Sequence, residues 1–203
     1  MTSSENHKTL QSYEDHIQEF IAKTYPQVTG GVKNWIDTVL DGLPLGAKIV
    51  ELGSASGRDA AYMTSKGYTV ECTDAAQSFV THLQSQGLNA RVHNAITDIF
   101  SQSYDLIFAN AVLVHFTRED TASVIQKLLL VLNDGGRFAF SLKRGEGEFW
   151  TDAKLNAPRF FCFWQRPDIE TLLTTSGFAR WTVSEDGSGH SSGEWLHIIA
   201  HKA

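Results

Sequence analysis

The chain is short of cysteine, of basic residues and of long apolar runs, and each shortage excludes something. Cys72 and Cys162 are the only cysteines in 203 residues, too few for a disulfide framework. Neither lies in a Cys-x-x-Cys pair that would suggest zinc or redox work, so both read as small apolar residues of a reducing compartment. The purest aliphatic run, Leu128 to Leu132, is far too short to span a bilayer. The first residues lack the basic-then-apolar order of a secretion signal. These features predict a cytoplasmic protein with no membrane partner. Lys and Arg number 17 against 23 Asp and Glu, a net charge of -6, so no global basic field exists to attract nucleic acid. Proline is scarce as well, at 4, yet 42% hydrophobic and 20% charged residues make an ordinary globular composition and exclude a disordered, collagenous or coiled-coil chain.

This length suits one domain with a substantial core, residues 1–203, divided into an N-terminal helical cap over 1–42 and an α/β core over 43–203. Between Leu10 and Leu40, apolar residues at Ile17, Phe20 and Ile21, then Val32, Trp35, Ile36, Val39 and Leu40, recur at spacings of three and four. That period predicts two amphipathic helices broken near Pro26 and Gly30-Gly31. From Leu43 onward, short apolar strands alternate with helical stretches: Lys48 to Leu52, Thr69 to Thr73, Ala90 to His93, Asp105 to Asn110 and Arg137 to Leu142. Such alternation builds a doubly wound parallel sheet. Two last strands, Arg180 to Ser184 and Trp195 to Ala200, flank a turn-rich linker from Glu185 to Gly193. They should form a hairpin that brings one antiparallel strand into a seven-stranded, Rossmann-like and otherwise parallel sheet.

Chemistry concentrates in Ile49-Val50-Glu51-Leu52-Gly53-Ser54-Ala55-Ser56-Gly57-Arg58-Asp59-Ala60, a buried strand, a small-residue turn and a helix start. Small residues let a ligand approach the backbone there. Ala55 and Arg58 stand where a Gly-x-Gly-x-x-Gly dinucleotide fingerprint needs glycine, and no Gly-Lys-Ser/Thr follows to make a phosphate loop. Glu51 would repel a pyrophosphate but suits an ammonium or sulfonium. Asp74 ends the next strand about 20 residues further on, where a carboxylate can accept both hydroxyls of a ribose. The pair asks for a nucleoside with a zwitterionic tail, against the bland alternative of a tight turn that merely packs.

Glu51-Leu52-Gly53-Ser54-Ala55-Ser56-Gly57 followed by Asp74 resembles the cofactor motifs of class I S-adenosylmethionine-dependent methyltransferases. Tyr104 to Phe116 resembles the family's fourth strand and the loop after it, and Leu128 to Phe138 its helix, turn and fifth strand. Gly57-Arg58-Asp59-Ala60, Gly145-Glu146-Gly147-Glu148, Arg159-Phe160-Phe161 and Pro167-Asp168-Ile169-Glu170 look like the small bacterial methyltransferases described as tellurite-resistance-like. The resemblance implies S-adenosylmethionine as cofactor, with Glu51 near the methionyl ammonium, Gly53, Ser54, Ala55, Ser56 and Gly57 along its backbone, and Asp74 on the ribose. It further implies Ala75 on the adenine face, Asn94 and Ala95 on its edge, Asn110 and Ala111 at the methionyl end, and Tyr13 and Thr24 in a closing N-terminal helix. Two positions depart from the family pattern: Ala55 replaces a glycine, and Asn94 replaces an aspartate while keeping a carbonyl acceptor.

His115 is the candidate general base, or else a histidine packed at a helix start. The aromatic stretch from Arg159 to Trp164, with Arg159 and Phe160 foremost, and Lys143 after the fifth strand are candidate substrate contacts, or else a cap over the sheet edge. No histidine spacing suggests a metal. The expected activity is methyl transfer to a small-molecule acceptor. A non-catalytic module that retains the fold is the alternative, and a nicotinamide-dependent reductase is disfavoured by the missing glycine pattern.

Overall fold

The computed structural model describes residues 3–186 and 195–203. Alternating apolar side chains along the central strands bury two faces at once. Val50, Leu52, Ile107, Ala109, Phe138, Phe140 and Leu142 join one hydrophobic cluster, while Ile49, Leu106, Phe108, Ala139 and Ile199 join the other. The strands are β1 (Ile49–Leu52), β2 (Val70–Asp74), β3 (Ala90–Val92), β4 (Tyr104–Ala109) and β5 (Leu132–Arg144), parallel in the order β3-β2-β1-β4-β5. Helices α4 (Arg58–Ser65), α5 (Gln77–Ser85) and α6 (Arg118–Val131) make crossovers; none lies between β3 and β4.

The C-terminal strands pair as expected. The strand Trp195–His201 runs antiparallel to β5 and to the strand Arg180–Asp186, which completes seven strands in the predicted arrangement. Most of the linker between them lies outside the described residues.

A second hairpin, not foreseen in the sequence, is formed by β6 (Glu148–Thr151) and β7 (Arg159–Trp164); the two C-terminal strands are accordingly β8 and β9, after α7 (Arg166–Ser176). The aromatic stretch is therefore a strand, as its composition favours. β7 joins β5 at Lys143 and Arg144. β9 still pairs with β5 at Lys143, so β7 takes the other edge, which β4 leaves after Ala109. The hairpin thereby stands over the carboxyl end of the sheet.

Three helices, not two, precede the core: α1 (Ser4–Asp15), α2 (Ile17–Ala22) and α3 (Gly30–Leu40). Gly30 and Gly31 begin α3 rather than interrupt a helix. The buried stripe of α1 is polar, Asn6, Thr9 and Ser12, which is why apolar periodicity does not reveal it. These side chains hold backbone and amide groups. Thr9 Oγ1 accepts from the Phe160 N–H (3.0 Å), Ser12 Oγ donates to the Pro158 carbonyl (2.7 Å) and Asn6 Oδ1 accepts from Asn94 Nδ2 (3.1 Å). Glu14 accepts from the Ser78 N–H at the start of α5 (3.1 Å), a negative charge at the positive end of a helix. α1 is thus fastened across the sheet's carboxyl end from β3 to β7.

Behind that end, Lys127 Nζ donates to the carbonyls of Ala95, Ile96 and Asp98 at 2.8, 2.9 and 3.0 Å and braces the loop after β3. Lys127→Met leaves three carbonyls without that donor and should lower stability by about 1–3 kcal/mol, read as a fall in the urea midpoint at unchanged slope.

Candidate functional site

A cavity of about 1050 Å³ opens between the carboxyl ends of the strands, α1 and α2, and the β6–β7 hairpin. That is the upper end of the range for ligand pockets, roughly 300–1,000 Å³, and the position is where open α/β sheets bind ligands.

The turn after β1 forms its floor. Gly53, Ala55 and Gly57 all have positive φ, 64°, 48° and 77°, so every second residue is left-handed and the chain folds tightly over the strand end. A Cβ at Gly53 would stand 2.6 Å from Val112 Cγ2, and one at Gly57 2.8 Å from both Leu83 and Leu88; together with the left-handed φ, this crowding favours glycine at both positions. Ala55 adopts the conformation that a glycine would take more readily, at a cost of about 1–2 kcal/mol. Gly53, Ser54, Ala55 and Ser56 line the cavity, whereas Gly57 turns away from it and packs on α5.

Glu51 ends in this floor, 3% exposed, and its Oε2 has no hydrogen-bond partner. Burial pushes its carboxyl up to about 8, and neighbouring Asp59 reinforces the rise. Asp59 was not anticipated as a site residue. It lies in the first turn of α4, accepts from Asn110 Nδ2 (2.7 Å) and is bonded by Arg58 (2.7 Å). Asn110 Oδ1 in turn accepts from Ser141 Oγ, which accepts from the Ala111 N–H. This chain fixes the end of β4 beside Glu51. Asp74, at the end of β2, accepts from the Ala55 N–H (3.0 Å) and the Ala76 N–H (2.9 Å), one per oxygen. Each oxygen keeps a lone pair for a ligand. Burial pushes Asp74 up to about 6 against the opposing pull of those amides.

On the far side of β2, Ala75, Asn94 and Ala95 line the cavity. Asn94 Oδ1 already accepts from the Ile96 N–H (3.0 Å) and its Nδ2 donates to Asn6, so this side chain shapes the loop and ties it to α1. His93, which the sequence did not single out, also lines the cavity. Its Nδ1 accepts from Arg91 (2.9 Å) and its buried Nε2 has no partner. Burial lowers its pKa, leaving a neutral ring with an unused N–H.

Tyr13, Thr24, His115, Lys143 and Arg159 line the opposite half together with Phe161 and Phe163. Phe160 does not: residues alternate along β7, and Phe160 faces the hydrophobic core while its neighbours face the cavity. This corrects the expectation that Phe160 contacts substrate. His115 ends a single 3₁₀ turn, Leu113–His115. Its Nδ1 lies 2.7 Å from the Phe160 carbonyl, which can only accept, so Nε2 is unprotonated and accepts from the Tyr13 hydroxyl at 2.8 Å. Burial, and then the nearby cations Arg159, Lys143 and Lys154, push His115 down to about 4. Lys154, also unforeseen, donates to Thr24 Oγ1 (2.8 Å).

Both cysteines are free and buried. Among the described residues no cluster of His, Cys, Asp and Glu is arranged to hold a metal, and no helix is long and apolar enough to cross a membrane.

Residues 50–138 match a family model described as a methyltransferase domain. No curated protein matches the chain by sequence. Among solved structures, the chain is similar to the 1,6-didemethyltoxoflavin-N1-methyltransferase of Burkholderia thailandensis, crystallised with 1,6-didemethyltoxoflavin and S-adenosylhomocysteine. That match has a TM-score of 0.74 at 15% identity, over 100% of this chain and 92% of that one. It is similar also to the magnesium protoporphyrin IX methyltransferase of Synechocystis with bound S-adenosylmethionine, at a TM-score of 0.73 and 13% identity, over 100% of this chain and 99% of that one. A glycopeptide N-methyltransferase complexed with S-adenosylhomocysteine aligns at a TM-score of 0.68 and 11% identity, over 86% of this chain and 91% of that one.

The elevated Glu51 carboxyl makes stability depend on pH. Folded, Glu51 holds a proton up to about 8, whereas its ordinary value is 4.5, so its contribution falls as the pH rises through that interval. Asp74 adds a slope of the same sign only up to about 6, and His115, moved from 6.5 down to about 4, adds the opposite slope below 6.5. Between pH 6.5 and 8 the loss should therefore vanish in Glu51→Gln, measured as urea midpoints across that interval; an unchanged slope would show that Glu51 is not the group.

In the strand order, the motif turn and the position of the cavity, the chain has the fold of the S-adenosylmethionine-dependent methyltransferases to which it is similar, and residues 50–138 match the model of a methyltransferase domain.

Proposed function

We propose that the cavity holds S-adenosylmethionine and that the protein is a methyltransferase acting on a small-molecule acceptor. The observation that carries this reading is Glu51: a buried carboxyl with an unbonded oxygen, beside a left-handed turn in which a Cβ at Gly53 would crowd Val112. Such a site fits the ammonium of the methionyl arm, whose positive charge would compensate the buried acid. The free lone pairs of Asp74 face the ribose, and Ala75, Asn94, Ala95 and the unused N–H of His93 form the side that takes the adenine. Bound there, the cofactor supplies a methyl group activated by its positive sulfur.

The chain's own part is positioning, water exclusion and, for an acceptor bearing an O–H or N–H, handling of a proton. α1 and the β6–β7 hairpin enclose the acceptor half of the cavity. Tyr13 and His115 provide the proton path, because the imidazole is neutral and its Nε2 already accepts from the phenol. A cavity so enclosed, on a chain with net charge -6, favours a small acceptor over a polyanionic one. The Gly57-Arg58-Asp59-Ala60 and Arg159-Phe160-Phe161 segments support a place among the tellurite-resistance-like methyltransferases, and the two free thiols a cytoplasmic setting.

Calorimetric titration with S-adenosylmethionine and S-adenosylhomocysteine tests the cofactor. Asp74→Ala, folded by circular dichroism, should bind about ten- to a hundred-fold more weakly, through loss of charge-assisted contacts worth about 1.5–3 kcal/mol; unchanged affinity removes Asp74 from the site. Incubation with labelled cofactor and a metabolite pool tests transfer, with Glu51→Gln as the inactive control. Binding without transfer to any pool component would favour the non-catalytic module. With an acceptor in hand, Tyr13→Phe should lower kcat by about 100-fold or more while leaving S-adenosylhomocysteine affinity within a few-fold.

A further inference from the structure

The cavity is electrically divided. Glu51, Asp59 and Asp74 lie at the ends of β1 and β2 and in α4, whereas Lys143, Lys154 and Arg159 lie at the end of β5 and on the β6–β7 hairpin. In the sheet order, β4 separates the two groups, so that about two strand spacings of ~4.8 Å set the acids of β1 apart from the cation of β5. The acidic half is accounted for by the cofactor. The cationic half has no such explanation.

Arg159 is the sharpest anomaly. It is 6% exposed, its Nε has no hydrogen-bond partner, and among the described residues its side chain makes one long hydrogen bond, 3.4 Å, to the Tyr13 hydroxyl. Among the described residues neither Arg159 nor Lys154 has a carboxylate within ion-pair distance. An enclosed guanidinium without a counter-ion is costly, and Lys154 registers the same crowding: burial and then Arg159, Arg58 and Lys23 push it down to about 8. Aromatic rings lie against all three cations. Arg159 lies over Phe161 (5.2 Å), Lys143 over Phe161 and Trp195 (5.4 and 5.6 Å) and Lys154 over Phe20 (3.9 Å). Phe149 stacks on Phe161 and Phe163 at centroid distances of 5.8 and 4.9 Å, with interplanar angles of 16° and 25°. At these separations the rings stack face on face with an offset, and an aromatic ligand can extend such a stack or pack against its edges.

We infer that the methyl acceptor is an aromatic carboxylic acid, its carboxylate bound by Arg159 with Lys154 beside it, and its ring laid against the Phe149–Phe161–Phe163 wall. The inference rests on the proposed function, since it assigns the second half of the same cavity. A fork of guanidinium donors matches a carboxylate geometrically as a lysine ammonium cannot, which gives Arg159 the central place. A bound carboxylate would also offset the positive field at His115 and restore basicity to that imidazole only when the acceptor is present.

The test uses the full chain saturated with S-adenosylhomocysteine and two matched pairs of probes, anthranilate with anthranilamide and salicylate with salicylamide, titrated by ligand-observed NMR. The pairs share ring and nucleophile and differ in the charge. The carboxylates should bind at least tenfold more tightly than their amides, and Arg159→Gln should erase most of that preference. Because Arg159 is buried, Lys154→Met is measured as well, and a several-fold loss of the preference there supports the inference even where Arg159→Gln does not fold. Equal binding of acids and amides, or binding of neither to the cofactor-loaded protein, would overturn the aromatic acid while leaving the methyltransferase reading intact. Failure of S-adenosylhomocysteine itself to bind would overturn both.

Discussion

A carboxyl group enclosed at the end of the central strand, with one oxygen bonded to nothing, is the constraint around which the rest of this molecule is arranged. Burying an acid is unfavourable unless its charge is lost or matched. Alone, Glu51 meets that condition by retaining its proton; with a cationic ligand it can do so as a carboxylate. Everything nearby sharpens the choice. Asp59 raises the cost of ionisation, and the Asp59–Asn110–Ser141 chain holds the end of β4 against the same spot. The left-handed turn from Gly53 to Gly57 clears the space in front of it.

The layout of the sheet turns this local constraint into a two-sided cavity. Parallel strands send all their carboxyl ends to one side, so residues remote in sequence, Glu51, Asp74, Asn110 and Lys143, meet there. β5 is long enough to outrun β4, and the vacated edge admits β7, which brings Arg159 and Phe161 over the loop that carries His115. α1 closes the arrangement largely with hydrogen bonds, its Tyr13 ring packing on Phe79 and His115. The inner stripe of α1, held by Asn6, Thr9, Ser12 and Glu14, is polar and buries little apolar surface, so its opening costs less than that of an apolar-packed helix.

His115 shows how a residue's chemistry depends on its surroundings. Its hydrogen bonds select one tautomer and aim Nε2 at Tyr13, while burial and three cations oppose its protonation. Its protonation therefore depends on the charge of whatever else occupies the cavity, which no single residue type encodes.

Local patterns sufficed for the succession of parallel strands along the chain, the C-terminal hairpin and the motif turn, because period-two burial, small residues at a strand-to-helix junction and acids at strand ends leave direct marks on the chain. They also single out Glu51 and Asp74, both of which line the cavity. Other features were settled only by tertiary packing. α1 is anchored through a polar stripe that carries no apolar period, so its start at Ser4 and its place across the cavity appear only once β7 and α5 present groups for it to hold. The β6–β7 strands have no pairing signal of their own and form where β5 offers an open edge. Asp59, His93 and Lys154 are ordinary polar residues in sequence; enclosure beside like charges or without partners is what gives them chemistry, and enclosure is a property of the folded chain alone.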